Sequence, residues 1–279
     1  MTFVWDIDPV LLRLGPIEIR YYGLLFATGL LLASHYAAKF FTMKGYDEEE
    51  LNSAVLWLIV GLILGAHWVH LIFYEPYSLV EDWNLIKAAP VATLTQFWKL
   101  RFFQLGSGLA SHGGGIGAGV ALFLICRKRG VSFYRYADPI SAAALWVVPT
   151  IRLGNFFNSE IYGRETDGSW GVIFARRGFT EPRIPSQLVE SIIGLGVVLF
   201  LMWFYKTYHK KIKEGALFYL MMFTYFSSRF LVEFIKEWQF FSPDQSALTE
   251  GQLLSIPLIL IGAWQIFINP RFRIRNLSA

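Results

Sequence analysis

The chain has 279 residues, 54% of them hydrophobic and 16% charged, with a net charge of +4. Soluble domains carry about 25% charged residues. Here the charges cluster and leave apolar segments of about 20 residues between them, the length that crosses roughly 30 Å of hydrocarbon, which excludes an ordinary soluble domain. The basic residues sit in short connections, a pattern of membrane topology rather than of nucleic-acid binding. The single cysteine, Cys126, excludes an internal disulfide framework.

The N-terminus, Met1-Thr2-Phe3-Val4-Trp5-Asp6-Ile7-Asp8, lacks a basic region, and the first long apolar run begins near Tyr21. The first span is therefore expected to stay in the mature protein rather than be cleaved as a signal peptide. Seven apolar runs follow, at about 22–41, 53–74, 108–126, 140–157, 188–204, 216–234 and 253–268. In lipid every backbone polar group needs an internal partner, so these runs predict helices. The alternating strands of about ten residues that a transmembrane barrel needs are absent. The expected fold is an all-α membrane protein of about seven transmembrane helices.

Four connections hold basic clusters: Lys39 and Lys44; Arg127, Lys128, Arg129 and Arg135; Lys206, Lys210, Lys211 and Lys213; Arg271, Arg273 and Arg275. They alternate along the chain as seven spans require, and the positive-inside rule puts them in the cytoplasm with the C-terminus. The N-terminus and residues 75–104, 158–186 and 237–250 then face outward. Residues 75–104, with Pro76, Trp83, Pro90 and Trp98, are expected to form an interfacial arm. Residues 158–186, rich in glycine and proline, are expected to form a small head. No internal repeat or soluble domain is visible, so residues 1–279 are read as one polytopic membrane domain.

Ionisable groups inside spans cost about 2.5–3.5 kcal/mol each on insertion scales, so each one needs a reason. On the sixth run Tyr225, Arg229, Glu233 and Lys236 share one helical face. They form either a self-neutralising Arg229–Glu233 pair or the polar wall of a cavity, where a planar guanidinium suits phosphate or carboxylate oxygens. The fourth run ends in Arg152, Asn155, Asn158, Glu160 and Arg164, with Gly154 and Gly163 between them. That is either a capped helix end or a binding site. The third run opens Ser111-His112-Gly113-Gly114-Gly115-Ile116-Gly117-Ala118-Gly119. Gly115 and Gly119 form a small-xxx-small pair for helix packing. His112 is either a satisfied polar group or a proton acceptor, with an ordinary pKa of about 6.5. His67 and His70 could share a metal, but no third ligand is evident. His35 and His209 show no pattern.

Taken in order, these motifs resemble the prolipoprotein diacylglyceryl transferases of bacterial inner membranes. Arg20-Tyr21-Tyr22-Gly23 is similar to that family's first-span entry, and Ser111-His112-Gly113-Gly114 to its histidine–glycine motif. The stretch from Arg152 to Arg164 is similar to the family signature R-x-G-N-F-x-N-x-E-x-x-G-R. Pro185-Ser186-Gln187-Leu188 with Glu190 resembles P-S-Q-L-Y-E, and Arg229-Phe230 with Glu233-Phe234 resembles R-F-x-x-E-F. Gly251-Gln252 with Leu254-Ser255-Ile256-Pro257 is similar to the motif that opens the last span. The departures are Ile184 where a His usually stands, Val189 for Tyr, His67 for an Arg, Lys236-Glu237-Trp238 for R-x-P-D, and Leu105-Gly106-Ser107-Gly108 for a Trp-Glu-Gly-Gly element.

The resemblance implies seven transmembrane helices with a periplasmic head and arms in the bacterial inner membrane, the N-terminus periplasmic and the C-terminus cytoplasmic. It implies transfer of diacylglyceryl from phosphatidylglycerol, a membrane lipid, to the lipobox cysteine thiol of a prolipoprotein signal peptide, releasing glycerol phosphate. No metal or organic cofactor is required, and no nucleic acid takes part. The implied catalytic residues are His112 as base or orienting group, Arg152 and Arg229 as clamps, Tyr22 as a donor, and Glu233 as the residue that orients arginine. The implied substrate-binding residues are Arg152, Asn155, Glu160, Gly163, Arg164, Tyr225, Ser186 and Gln187. The departures leave open a paralogue acting on another lipid or acceptor, and a non-catalytic binding or transport protein.

Overall fold

The structure, a computed structural model, describes residues 1–73, 75–101, 111–238, 246–272 and 274, and only the backbone of Leu94, Trp98, Ser111 and His112. Three short strands, β1 (Thr2–Trp5), β2 (Val10–Leu14) and β3 (Ile17–Arg20), lead into helix α1 (Tyr21–Met43). Then come α2 (Glu48–Phe73), α3 (Pro76–Ala88), α4 (Pro90–Leu94) and α5 (Ser111–Arg129). The chain continues through α6 (Phe133–Ala144), α7 (Val147–Phe157), β4 (Gly171–Phe174), α8 (Ser186–Tyr208), α9 (Ala216–Val232) and α10 (Glu250–Ala263). A 3-10 turn (Glu233–Ile235) follows α9, and a π turn (Trp264–Ile268) follows α10.

Six of the seven apolar runs are helical over their described residues, and the fourth is helical on either side of Leu145-Trp146. Five stretches are long and apolar enough to cross a membrane: Tyr21–Met43, Glu48–Phe73, Phe133–Phe157, Ser186–Tyr208 and Glu250–Ile268. The glycine-rich α5 and the 17-residue α9 fall outside that set. The protein is thus a multi-pass helical membrane protein. The fourth run is two helices, broken at Leu145-Trp146. Pro149 lies in the first turn of α7, where its missing N–H breaks no helical bond.

The chain forms two compact units, Met1–Gly45 with Ala137–Ala279, and Tyr46–Tyr136. In the larger unit α1 packs on α7, α7 on α8, α8 on α9, and α9 on α10. Asp138 of α6 caps α9 from outside: its carboxylate accepts the Gly215 and Phe218 N–H groups, each at 2.8 Å. A carboxylate there meets both orphan donors and the positive end of the helix dipole.

The strands were not anticipated from the sequence. β1 pairs in parallel with β4, Thr2 opposite Gly171 and Trp5 opposite Phe174. This ties the N-terminus to the expected head and buries Trp5, Phe156, Val172 and Phe174 together. Burying such side chains stabilises a fold by about 1.5–3 kcal/mol each. β2 and β3 form a separate antiparallel hairpin.

In the smaller unit α2 and α5 run antiparallel along a glycine seam. At Gly115 and Gly119, the packing pair expected from the sequence, a side chain would meet open space. Gly113 and Gly117 instead face Gly65 and Gly61, where a Cβ on Gly117 would lie 2.8 Å from the Gly65 Cα. A two-residue step turns about 200° around a helix, so the motif was right in kind and wrong in face. Residues 75–101 of the expected arm form α3, α4 and a 3-10 turn (Phe97–Lys99), with Tyr77, Trp83 and Val91 exposed; residues 102–104 lie outside the described residues.

Candidate active site

The site is built on the end of α7, the loop after it, the start of α8, the end of α9 and the start of α10, all in the larger unit. Arg152 and Asn155 stand three residues apart near the end of α7, and Arg152 Nη1 lies 3.4 Å from Asn155 Oδ1. The chain then turns sharply. Ser159 and Ile161 adopt positive φ of 54° and 56°, which is rare for non-glycine residues and an outlier for a β-branched one. Such a conformation costs about 1–3 kcal/mol and persists only where surroundings enforce it.

The enforcement is visible. Gln187 Nε2 donates to Glu160 O at 2.6 Å, and Ser186 Oγ donates to Ile161 O at 2.9 Å. Arg177 Nε donates to Ser159 O at 2.9 Å. Ser186 and Gln187 are therefore buried braces of the strained turn. Gly163 sits where a Cβ would lie 2.6 Å from Ile235 O and 2.7 Å from Ile184 O. Its N–H donates to Ile184 O at 2.8 Å, and Ile184 N–H donates to Arg164 O at 3.0 Å. Ile184 serves this pairing through its backbone.

A chain of alternating charges forms the centre. Arg152 Nε lies 2.5 Å from Glu190 Oε2, and Lys236 Nζ lies 3.3 Å from Glu190 Oε1. Lys236 Nζ also donates to Glu233 Oε1 at 2.8 Å, and Arg229 Nη2 lies 3.6 Å from the same oxygen. Thr249 Oγ1, the cap of α10, donates to Glu233 Oε2 at 3.1 Å, and Gly251 leaves room for that carboxylate. Glu190, Glu233 and Lys236 are buried. Three cations against two carboxylates leave one net positive charge.

Arg152, Glu190, Tyr225, Ser228 and Arg229 line one narrow crevice with Val148, Ile193, Gly194 and Val232. Tyr22 packs against Gly154, where a Cβ would sit 2.8 Å from its ring. Glu160 is joined to Asn155 only at 3.5 Å and to Arg177 at 3.6 Å. It lines a second cavity, of about 380 Å³, with Ser159, Ile161, Tyr162, Arg177, Glu237 and Trp238. Arg164 donates from Nε to Lys236 O at 3.1 Å, with its guanidinium 5.9 Å from the Trp238 ring centre.

The structure thus brings Arg152, Tyr225, Arg229 and Glu233 together, with Asn155 adjoining. It adds Glu190, which the sequence offers only as part of the Pro185–Glu190 motif, and joins it to Lys236, expected on the polar face of the sixth run. A carboxylate four residues into an apolar helix was the available signal for Glu190. The His112 side chain and the segment Leu105–Gly108 lie outside the described residues. His67 is buried in α2, and His70 Nε2 lies 3.3 Å from Glu75 Oε1. Among the described residues no three His, Cys, Asp or Glu side chains gather as a metal cage.

The family model for prolipoprotein diacylglyceryl transferase matches residues 9–268. A phosphatidylglycerol–prolipoprotein diacylglyceryl transferase of Bacteroides fragilis is 38% identical over 269 residues, covering 96% of this chain and 95% of that protein. Its namesake in Tolumonas auensis is 35% identical, covering 97% and 99% of the two chains. That of Chloroherpeton thalassium is 37% identical, covering 94% and 92%. A match of this extent means that the chain belongs to the prolipoprotein diacylglyceryl transferase family.

Proposed function

We propose that the protein transfers the diacylglyceryl group of phosphatidylglycerol to the lipobox cysteine of a prolipoprotein signal peptide. The acceptor sulfur forms a C–S bond to the glycerol carbon, the C–O bond to phosphate breaks, and glycerol phosphate leaves with the electron pair. A thiol of pKa about 8.5 must lose its proton, and His112 is the candidate base. The charge that develops on the leaving phosphate needs preorganised cations in a site sheltered from water.

The observation that supports this reading best is the Arg152–Glu190–Lys236–Glu233–Arg229 chain, whose five side chains sum to one positive charge. An anionic headgroup is the complement. Arg152 and Arg229 clamp the phosphate, Glu190 and Glu233 hold them in place, and Asn155, Tyr22 and Tyr225 donate hydrogen bonds around it. Glu160, Gly163, Arg164, Ser186 and Gln187 shape the adjoining wall. The basic clusters support a bacterial inner-membrane location with the N-terminus and residues 75–104 and 158–186 on the periplasmic side.

The test uses purified protein in lipid nanodiscs with phosphatidylglycerol and a lipobox peptide. Wild-type protein is expected to modify the peptide, and Arg152→Ala to lose about 10²–10³-fold in rate while remaining folded. Full activity in that variant would remove Arg152 from the clamp.

A further inference from the structure

The function proposed above leaves residues 10–20 without a task, yet their hairpin has two chemically distinct faces. In β2 and β3, Leu12 lies opposite Ile19, Arg13 opposite Glu18, and Leu14 opposite Ile17. Directly opposed residues of an antiparallel pair share a face, and neighbours along a strand alternate. One face is therefore Leu12, Leu14, Ile17 and Ile19. The other is Arg13, Glu18 and Arg20 with Val10 opposite Arg20, and Leu11 stands at the bulge between Val10 and Leu12.

The polar face is self-satisfied. Arg13 Nη2 lies 3.0 Å from Asp8 Oδ2 and its Nε 3.5 Å from Glu18 Oε1, and Arg20 Nη2 donates to Glu18 at 2.9 Å. The Arg20 guanidinium holds Glu18 below the usual carboxylate range, and the Val10 N–H with Arg13 does the same for Asp8. On the apolar face Leu12, Leu14 and Ile17 are 48, 54 and 62% exposed, and Ile19 is half-buried.

What covers it follows from continuity with the bilayer. β3 runs directly into α1, a span of 23 residues. The Tyr21 N–H, first in that helix, donates to Pro9 O at 3.2 Å, which clamps the base of the hairpin to the point where the span begins. Both strands are edges with unpaired backbone groups, so the hairpin cannot enter the hydrocarbon core. The headgroup–acyl boundary suits it, because amphipathic elements bury an apolar face about 5–10 Å deep there while water reaches the rest.

We propose that the β2–β3 hairpin is an interfacial lipid anchor that lays Leu12, Leu14, Ile17 and Ile19 on the bilayer and fixes the depth of the start of α1. The consequence reaches the candidate site. Tyr21 stacks on Phe157 at 4.3 Å, and Tyr22 packs on Gly154, two residues from Arg152. Asp8, Arg13, Glu18 and Arg20 cancel in charge, so the anchor is indifferent to lipid charge.

The test is made on the full chain in phospholipid nanodiscs. Leu14→Cys and Ile17→Cys are labelled with an environment-sensitive fluorophore, beside Arg13→Cys and Glu18→Cys; the native Cys126 is buried. Lipid brominated near the headgroup is expected to quench the probes at 14 and 17 and to spare those at 13 and 18. The same result is expected in zwitterionic and anionic lipid, with peptide transfer reporting that each variant is folded. Water-like, unquenched emission at 14 and 17 would overturn the anchor. Equal quenching on both faces would overturn it too, as would a change at 14 and 17 only on adding lipobox peptide, which would make the face a protein-docking surface.

Discussion

Glu190 is the residue on which the charged cluster turns, and Glu190→Gln tests that directly. Its two carboxylate oxygens meet different cations, Arg152 at 2.5 Å and Lys236 at 3.3 Å, and the side chain is buried. Glutamine keeps the shape but presents an NH₂ donor to groups that are themselves donors. The cluster then holds three cations and one carboxylate. Removing one partner of a buried ion pair costs about 3–5 kcal/mol, because the remaining charge is left uncompensated. Part should appear as lost stability and part as displacement of Arg152, for which about 10²–10³-fold in transfer rate is the scale of one misplaced electrostatic donor. Thermal unfolding in detergent reads the first, and peptide modification at saturating phosphatidylglycerol reads the second. A double-mutant cycle with Arg152→Ala should be strongly non-additive, since each change removes the same contact. Wild-type stability and rate in Glu190→Gln, or simple additivity in the cycle, would refute the view that Glu190 holds Arg152.

Other expectations follow from single contacts. Gly163→Ala places a methyl 2.6 Å from Ile235 O and should cost about 1–3 kcal/mol by overpacking, measured as a lower unfolding midpoint with transfer impaired. Asp138→Ala strips the Gly215 and Phe218 N–H groups of their acceptor and should cost about 0.5–2 kcal/mol, seen in thermal unfolding. Gly117→Leu should break the α2–α5 seam and expose the smaller unit to proteolysis, while Gly119→Leu, which meets open space, should change stability by less than about 0.5 kcal/mol.

The sequence disclosed what lipid imposes locally. Helices over 22–41 or 188–204 are written in composition, since a spanning backbone has few other options. Tyr225, Arg229 and Glu233 were legible because charge inside a span is costly and their spacing put them on one face. What stayed hidden depends on distant partners. Four residues at Thr2–Trp5 carry no strand pattern of their own and become a strand only against Gly171–Phe174. Glu190 looked like one motif letter until α8 brought it between Arg152 of α7 and Lys236 beyond α9. The glycine seam lies two residues from the expected pair because a run of glycines shows a small face in every direction, and only α2 decides which one is used.

The most direct test of the account follows both halves of the donor lipid. Phosphatidylglycerol labelled separately in its glycerol headgroup and in its diacylglycerol portion is incubated with the protein and a lipobox peptide, and both products are weighed by mass spectrometry. The expected products are a peptide heavier by one labelled diacylglyceryl group in thioether linkage and the headgroup label recovered as water-soluble glycerol phosphate. A peptide that gains only a single acyl chain, or labelled phosphatidylglycerol recovered intact beside an unmodified peptide and folded protein, would contradict it.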